Sequence, residues 1–127
     1  MVPFRAAVEA RDFEAGVALL AEDVRFRSPV VFKPYEGRDA VAALLFAVAR
    51  VFEDFRYVRE IGAPDGSDHA LVFEARIGDR EIEGCDFLHT GEDGLIDEFV
   101  VMVRPLSAAL ALAEAMKAQL AATEGTR

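Results

Sequence analysis

A single cysteine, Cys85, in a chain of 127 residues rules out an internal disulfide. Positive charge is also scarce: 14 Lys plus Arg stand against 23 Asp plus Glu, a formal charge of -9. That field repels phosphate backbones and anionic lipid surfaces, and no basic cluster reverses it locally, so nucleic acid is not an expected partner. The longest uncharged runs, Ala40 to Ala49 and Leu106 to Ala113, fall well short of the ~20 residues a membrane-spanning helix needs. No membrane association is expected. The start, Met1-Val2-Pro3-Phe4-Arg5, is not a basic stretch followed by a long apolar one, and together with the lone thiol this suggests a cytoplasmic protein.

Several chemistries are missing for the same kind of reason. No glycine-rich phosphate loop follows a strand and no Gly-x-Ser-x-Gly elbow occurs, and neither His-x-His nor Cys-x-x-Cys spacing preorganises a metal site. Neither cofactor nor metal is expected. Cys85 and His89 share a strand face, but four residues of extended chain separate them by about 13 Å, too far for a thiolate and its base.

The residues present describe one ordered domain. With 53% hydrophobic and 29% charged residues the chain is globular, and its length supports a single core. Phe4, Ala7, Val8, Phe13, Val17 and Leu20 recur at helical spacing with a break at Arg11-Asp12, predicting two short helices. Val24 to Ser28 alternates as a strand stopped by Pro29, and Pro34 to Gly37 forms a turn. Val41, Leu44, Leu45, Val48 and Phe52 then stripe a helix over about 38–53. Beyond it the period becomes two: strands at 55–61, 69–77, 80–90 and 95–104 are joined by short turns, which requires an antiparallel meander. Pro105 opens a last helix over about 105–122.

Register follows from the turns. A two-residue loop at Gly78-Asp79 sets Ala75 against Ile82, Phe73 against Gly84, Leu71 against Asp86 and His69 against Leu88. A second hairpin about Glu92-Asp93 sets Asp86 against Phe99, Leu88 against Asp97 and Gly84 against Val101. One apolar face results, carrying Leu71, Phe73, Leu88, Phe99, Val101 and Val103, and three ionisable groups intrude on it: His69, Asp86 and Asp97. The opposite face holds Val72, Cys85, Phe87, Val100 and Met102 among charges, too apolar at its centre for free solvation. Either a second copy covers it, as a homodimer through the outer sheet face, or the final helix does.

This element order, with Ala21-Glu22-Asp23-Val24-Arg25-Phe26-Arg27-Ser28-Pro29, Tyr35-Glu36-Gly37-Arg38-Asp39-Ala40-Val41 and Asp93-Gly94-Leu95-Ile96-Asp97-Glu98, resembles the nuclear transport factor 2-like superfamily over about residues 3–104. The SnoaL-like and ketosteroid isomerase-like branch is the nearest in pattern. The resemblance implies an α+β fold: a cone-shaped barrel of N-terminal helices on a curved antiparallel sheet, plus a C-terminal helix, in one domain spanning 1–127. It also implies an interior pocket for a hydrophobic small molecule. Ketosteroid isomerases use an aspartate base, with a tyrosine and a protonated aspartic acid as oxyanion donors; along the resemblance these positions fall on Ser28, Phe4 and Asp86. Serine needs a base of its own and phenylalanine has no donor, so steroid isomerisation in that form is not expected.

The implied pocket is walled by Phe4, Phe26, Ser28, Leu71, Phe73, Leu88, Phe99, Val101 and Val103. Ser28, Tyr35 and Tyr57 offer hydroxyls, of which Ser28 is the one assigned to it. Asp86, disfavoured as an anion among apolar walls, has a raised pKa and donates a proton or a hydrogen bond. His69, diagonally across at roughly 7 to 8 Å, would complete an acid–base pair, with Asp97 orienting its ring. Ordinary roles stand beside these: His69 at a solvated strand end, Asp97 exposed at a hairpin, Asp86 as a satisfied core group. The two functional readings are an acid–base isomerase, cyclase or dehydratase of a hydrophobic metabolite, and a non-catalytic ligand-binding or association module.

Overall fold

Arg11 and Asp12 divide the N-terminal helical pattern by simple local chemistry. In the computed structural model, which describes residues 1–125, α1 (Val2–Glu9) ends two residues before Arg11, which turns the chain with a φ of 56°. The Asp12 carboxylate then accepts from the Ala15 amide at 3.2 Å and caps α2 (Phe13–Ala18). β1 (Leu20–Arg27) follows, and the expected turn at Pro34 to Gly37 includes a two-residue strand, β2 (Tyr35–Glu36), antiparallel to it. Gly37, at a φ of 96°, precedes α3 (Arg38–Val51), which buries Val41, Leu44 and Ala47.

The meander is present as β3 (Glu53–Ile61), β4 (Asp68–Ile77), β5 (Arg80–Thr90) and β6 (Ile96–Arg104), and α4 (Leu106–Gly125) ends the described chain. Strand order is β2-β1-β6-β5-β4-β3. The architecture is the expected α+β cone, with two differences. β1 runs parallel to β6, so the sheet is mixed rather than wholly antiparallel; the whole intervening chain serves as the crossover that a parallel pair requires. The sheet is also open, with β2 and β3 as its two edges.

Pairing of β4 with β5 is as expected, Leu71 lying opposite Asp86 and Phe73 opposite Gly84. Pairing of β5 with β6 is displaced by two residues: Asp86 faces Val101, Leu88 faces Phe99 and Gly84 faces Val103. The loop is longer than a two-residue turn, closing with the Gly91 amide on the Leu95 carbonyl at 3.0 Å. An even displacement leaves Phe99 and Val101 on the inner face. A bulge then sets Ile96 against Thr90 and Glu98 against His89, with Asp97 left over between them, so Ile96 turns into the core and Asp97 turns out.

The core lies on the concave side, where Leu20, Val24, Leu71, Phe73, Leu88, Ile96 and Phe99 are buried beneath α1 and α3. α4 joins the same side, burying Ala108, Leu112 and Met116 against this core. The last helix therefore does not cover the outer sheet face, where Phe87 and Met102 stay 42% and 60% exposed. Gly84 fixes one feature of the concave side: a Cβ there would collide with the Cζ of Phe73, whose ring lies across the glycine. Gly84→Ala is expected to cost roughly 1 to 3 kcal/mol, as overpacking does, read as a lower urea midpoint at unchanged slope. An unaltered midpoint would show that the Phe73 ring can shift freely.

Candidate active site

Between the sheet and the helices lies a cavity of about 520 Å³. Strand alternation supplies its sheet wall, and the inward stripes of α3 and α4 supply Leu44, Leu45, Val48, Leu112 and Met116 on the other side. Aromatic rings dominate it. Seven of the ten phenylalanines and both tyrosines are at its surface. One run of rings goes from Phe4 to Phe99 (5.5 Å between centroids), Phe26 (5.0 Å) and Tyr35 (6.4 Å). Another links Phe52, Phe73, Phe55 and Tyr57, with Phe55 stacked on Phe73 at 4.8 Å.

Asp86 reaches this space from the middle of β5 and is only 6% exposed. Its Oδ2 accepts a hydrogen bond from the Tyr57 hydroxyl at 2.8 Å, its one hydrogen-bond partner among the described residues. Burial disfavours the anion and outweighs the stabilising phenol, so the carboxyl is pushed up to about 7. Burial, and then the neighbouring charge of Asp86, hold the Tyr57 phenol far above its ordinary range, which keeps it the donor of the pair. Near neutral pH this carboxyl is poised between a hydrogen-bond donor and a base.

The other two ionisable residues do not join it. His69 is buried, but its Nε2 donates to the Gly66 carbonyl at 2.8 Å and its Nδ1 lies 3.3 Å from the Met1 nitrogen, outside the cavity wall. The ring thus satisfies a loop carbonyl beside its own strand end instead of crossing to Asp86. Asp97, turned outward by the bulge, lies 2.6 Å from the His89 Nδ1, and this contact raises the pKa of that histidine. The expected Asp-His-Asp set is therefore not assembled.

Of the expected wall residues, Phe4, Phe26, Ser28, Phe73, Phe99 and Val101 line the cavity. Leu71 and Leu88 are buried in the core behind it, and Val103, moved along by the register shift, does not reach it. Ser28 is at the wall, yet its Oγ accepts from the Val30 and Val31 amides at 3.0 and 3.3 Å and serves the loop. Tyr57, not Ser28, is the hydroxyl that meets Asp86. Its signal in the sequence is its alternation with Phe55, which puts both rings on one face of β3. Among the described residues no group of three or more His, Cys, Asp or Glu side chains converges, and no helix is long and apolar enough to cross a membrane.

The buried carboxyl gives stability a defined pH dependence. Asp86 titrates near 3.8 when unfolded and about 7 when folded, so the native state holds the extra proton between those values. Its contribution is intact below about pH 4 and is lost as pH rises through 7, a change on the order of 4 kcal/mol. Asp86→Asn is expected to remove this slope, so that urea midpoints followed by circular dichroism favour the variant increasingly from pH 5 to pH 8.5. Parallel pH profiles for the two proteins would show that the carboxyl is solvated.

Comparison with known proteins agrees with this architecture. The SnoaL-like domain family matches residues 3–99. A steroid delta-isomerase from Pseudomonas aeruginosa superposes with a TM-score of 0.90 at 42% identity, covering 94% of this chain and 88% of its own. An uncharacterized bacterial protein with a cystatin-like fold from Silicibacter pomeroyi gives 0.87 at 42% identity, covering 93% and 82%. An NTF2-like protein of unknown function from Cytophaga hutchinsonii, at 20% identity and 0.62 over 84% and 88%, shares the fold. No curated protein matches. With 97 consecutive residues matched, the chain belongs to the SnoaL-like domain family, and it shares the fold of NTF2-like proteins.

Proposed function

We infer that the cavity binds an apolar small molecule bearing a carbonyl or hydroxyl oxygen, which receives a hydrogen bond from protonated Asp86. The observation that carries this is the Asp86 carboxyl itself, enclosed by aromatic walls with Tyr57 as its one partner. Tyr57 occupies Oδ2, leaving the other oxygen of the carboxyl for the ligand. The cavity volume lies in the range of small-molecule sites.

The same carboxyl supports acid–base turnover, because a group with a pKa of about 7 populates both protonation states at neutral pH. Isomerisation, cyclisation or dehydration next to the bound oxygen would then proceed by Asp86 giving a proton and recovering it. The likeness to a protein described as a steroid delta-isomerase favours this catalytic form. Two features set it apart from an isomerase with a separate carboxylate base: Ser28 has its oxygen engaged by two amides, and Phe4 offers no donor. No cofactor is needed. A homodimer through Phe87 and Met102 on the outer face, in a cytoplasmic setting, completes the proposal.

Matched probes test the reading. 1-Tetralone is expected to bind about tenfold tighter than tetralin, the same skeleton without the oxygen, in calorimetry at pH 6. The preference should fall as pH rises above 7, where the donor proton is lost, and should vanish in Asp86→Leu. Equal affinities in the unaltered protein, or a preference that survives Asp86→Leu, would exclude Asp86 as the anchor. For the assembly, Met102→Glu is expected to convert the dimer to monomer in light scattering with the circular dichroism spectrum retained; a dimer that persists argues for another face.

A further inference from the structure

Depth and rim of the cavity differ in charge. Asp86 is buried, whereas Arg11, at the corner between α1 and α2, and Lys117, on α4, line the same cavity while staying exposed to solvent. Lys117 is one of only two lysines in a chain of net charge -9. Six other arginines form surface ion pairs with acidic side chains, but among the described residues neither Arg11 nor Lys117 has a carboxylate within 4 Å. The Arg11 guanidinium lies 5.3 Å from the centroid of the Phe13 ring, which seats it against an apolar wall without neutralising it. The acid that shares this lining, Glu9, is held by Arg5 at 3.3 Å.

Resting on the reading of Asp86 above, we propose that the ligand is an amphipathic acid: a carboxylate at the rim between Arg11 and Lys117, an apolar body along the rings, and a carbonyl or hydroxyl at Asp86. An anion matches this lining: Glu9 is held by Arg5, so the positive charges of Arg11 and Lys117 are left to receive it. The apolar walls supply the affinity and the rim sets the direction of entry, oxygen first and anion last. Against a net charge of -9, the two cations make this part of the lining locally attractive to an anion.

The test uses benzoyl-propanoate, benzoyl-pentanoate and benzoyl-heptanoate, whose ketone and carboxylate are held at increasing separation, each against its own methyl ester. Calorimetry at low salt is expected to show the acid binding about three- to tenfold tighter than the ester for at least one chain length, with the advantage shrinking as salt is added. In the double variant Arg11→Asn, Lys117→Gln the advantage should disappear; asparagine tolerates the left-handed backbone at position 11. If ester and acid bind alike at every length, or if the preference survives the double variant, the rim assignment is overturned. Should the esters bind in an Asp86-dependent way with no gain from the acid, only the rim assignment falls. If neither acid nor ester binds at any length, the reading of the cavity falls with it.

Discussion

Desolvation of one carboxyl group is the constraint around which this molecule is arranged. Asp86 sits where every neighbouring wall is apolar, and a single phenol answers its need for a partner. An anion in that position is costly, and the protein meets the cost by retaining a proton instead of adding cations. The core beneath must supply the compensating stability. It does so through Leu71, Leu88, Ile96 and Phe99, buried directly around the strands that carry the acid. A group that weakens the fold above neutral pH is thus kept inside a hollow of about 520 Å³, which is the observation on which the proposed function rests.

The cavity stays open because its floor and roof come from different structural types. Gly84 lets the Phe73 ring lie across β5, and Phe52 and Phe55 pack beside it, so that bulk is gathered toward one end of the sheet. Over the other elements, α3 and α4 contribute aliphatic stripes. α4 is thus part of the enclosure. Its placement on the concave side also leaves the convex side to the alternating charges and the bare Phe87 and Met102.

How far the sequence could be read depended on whether local chemistry decided the geometry. The Gly78-Asp79 turn permits one hairpin, and every β4–β5 pair down to His69 opposite Leu88 follows from it. The inward direction of Asp86 was legible for that reason. The β5–β6 loop was ambiguous, because Gly91-Glu92-Asp93-Gly94 suits more than one turn length. The wider loop moved the register by two, and the bulge at Asp97 then reversed a single side chain, which no alternation rule anticipates. His69 and Tyr57 failed to follow expectation for a common reason: which of several reachable partners a polar side chain takes depends on tertiary distances. His69 found a loop carbonyl, and Tyr57 reached across β4 to Asp86. The parallel contact of β1 with β6 joins segments some seventy residues apart and leaves no local trace.

One compositional detail acquires meaning from the fold. The chain has no tryptophan and two tyrosines, and both of those tyrosines stand at the cavity wall. Its intrinsic near-ultraviolet emission is therefore local by construction: the only fluorophores of the protein that emit above the phenylalanine band report from the hollow. Whatever enters there perturbs the whole of that signal, and no label need be introduced to watch it happen.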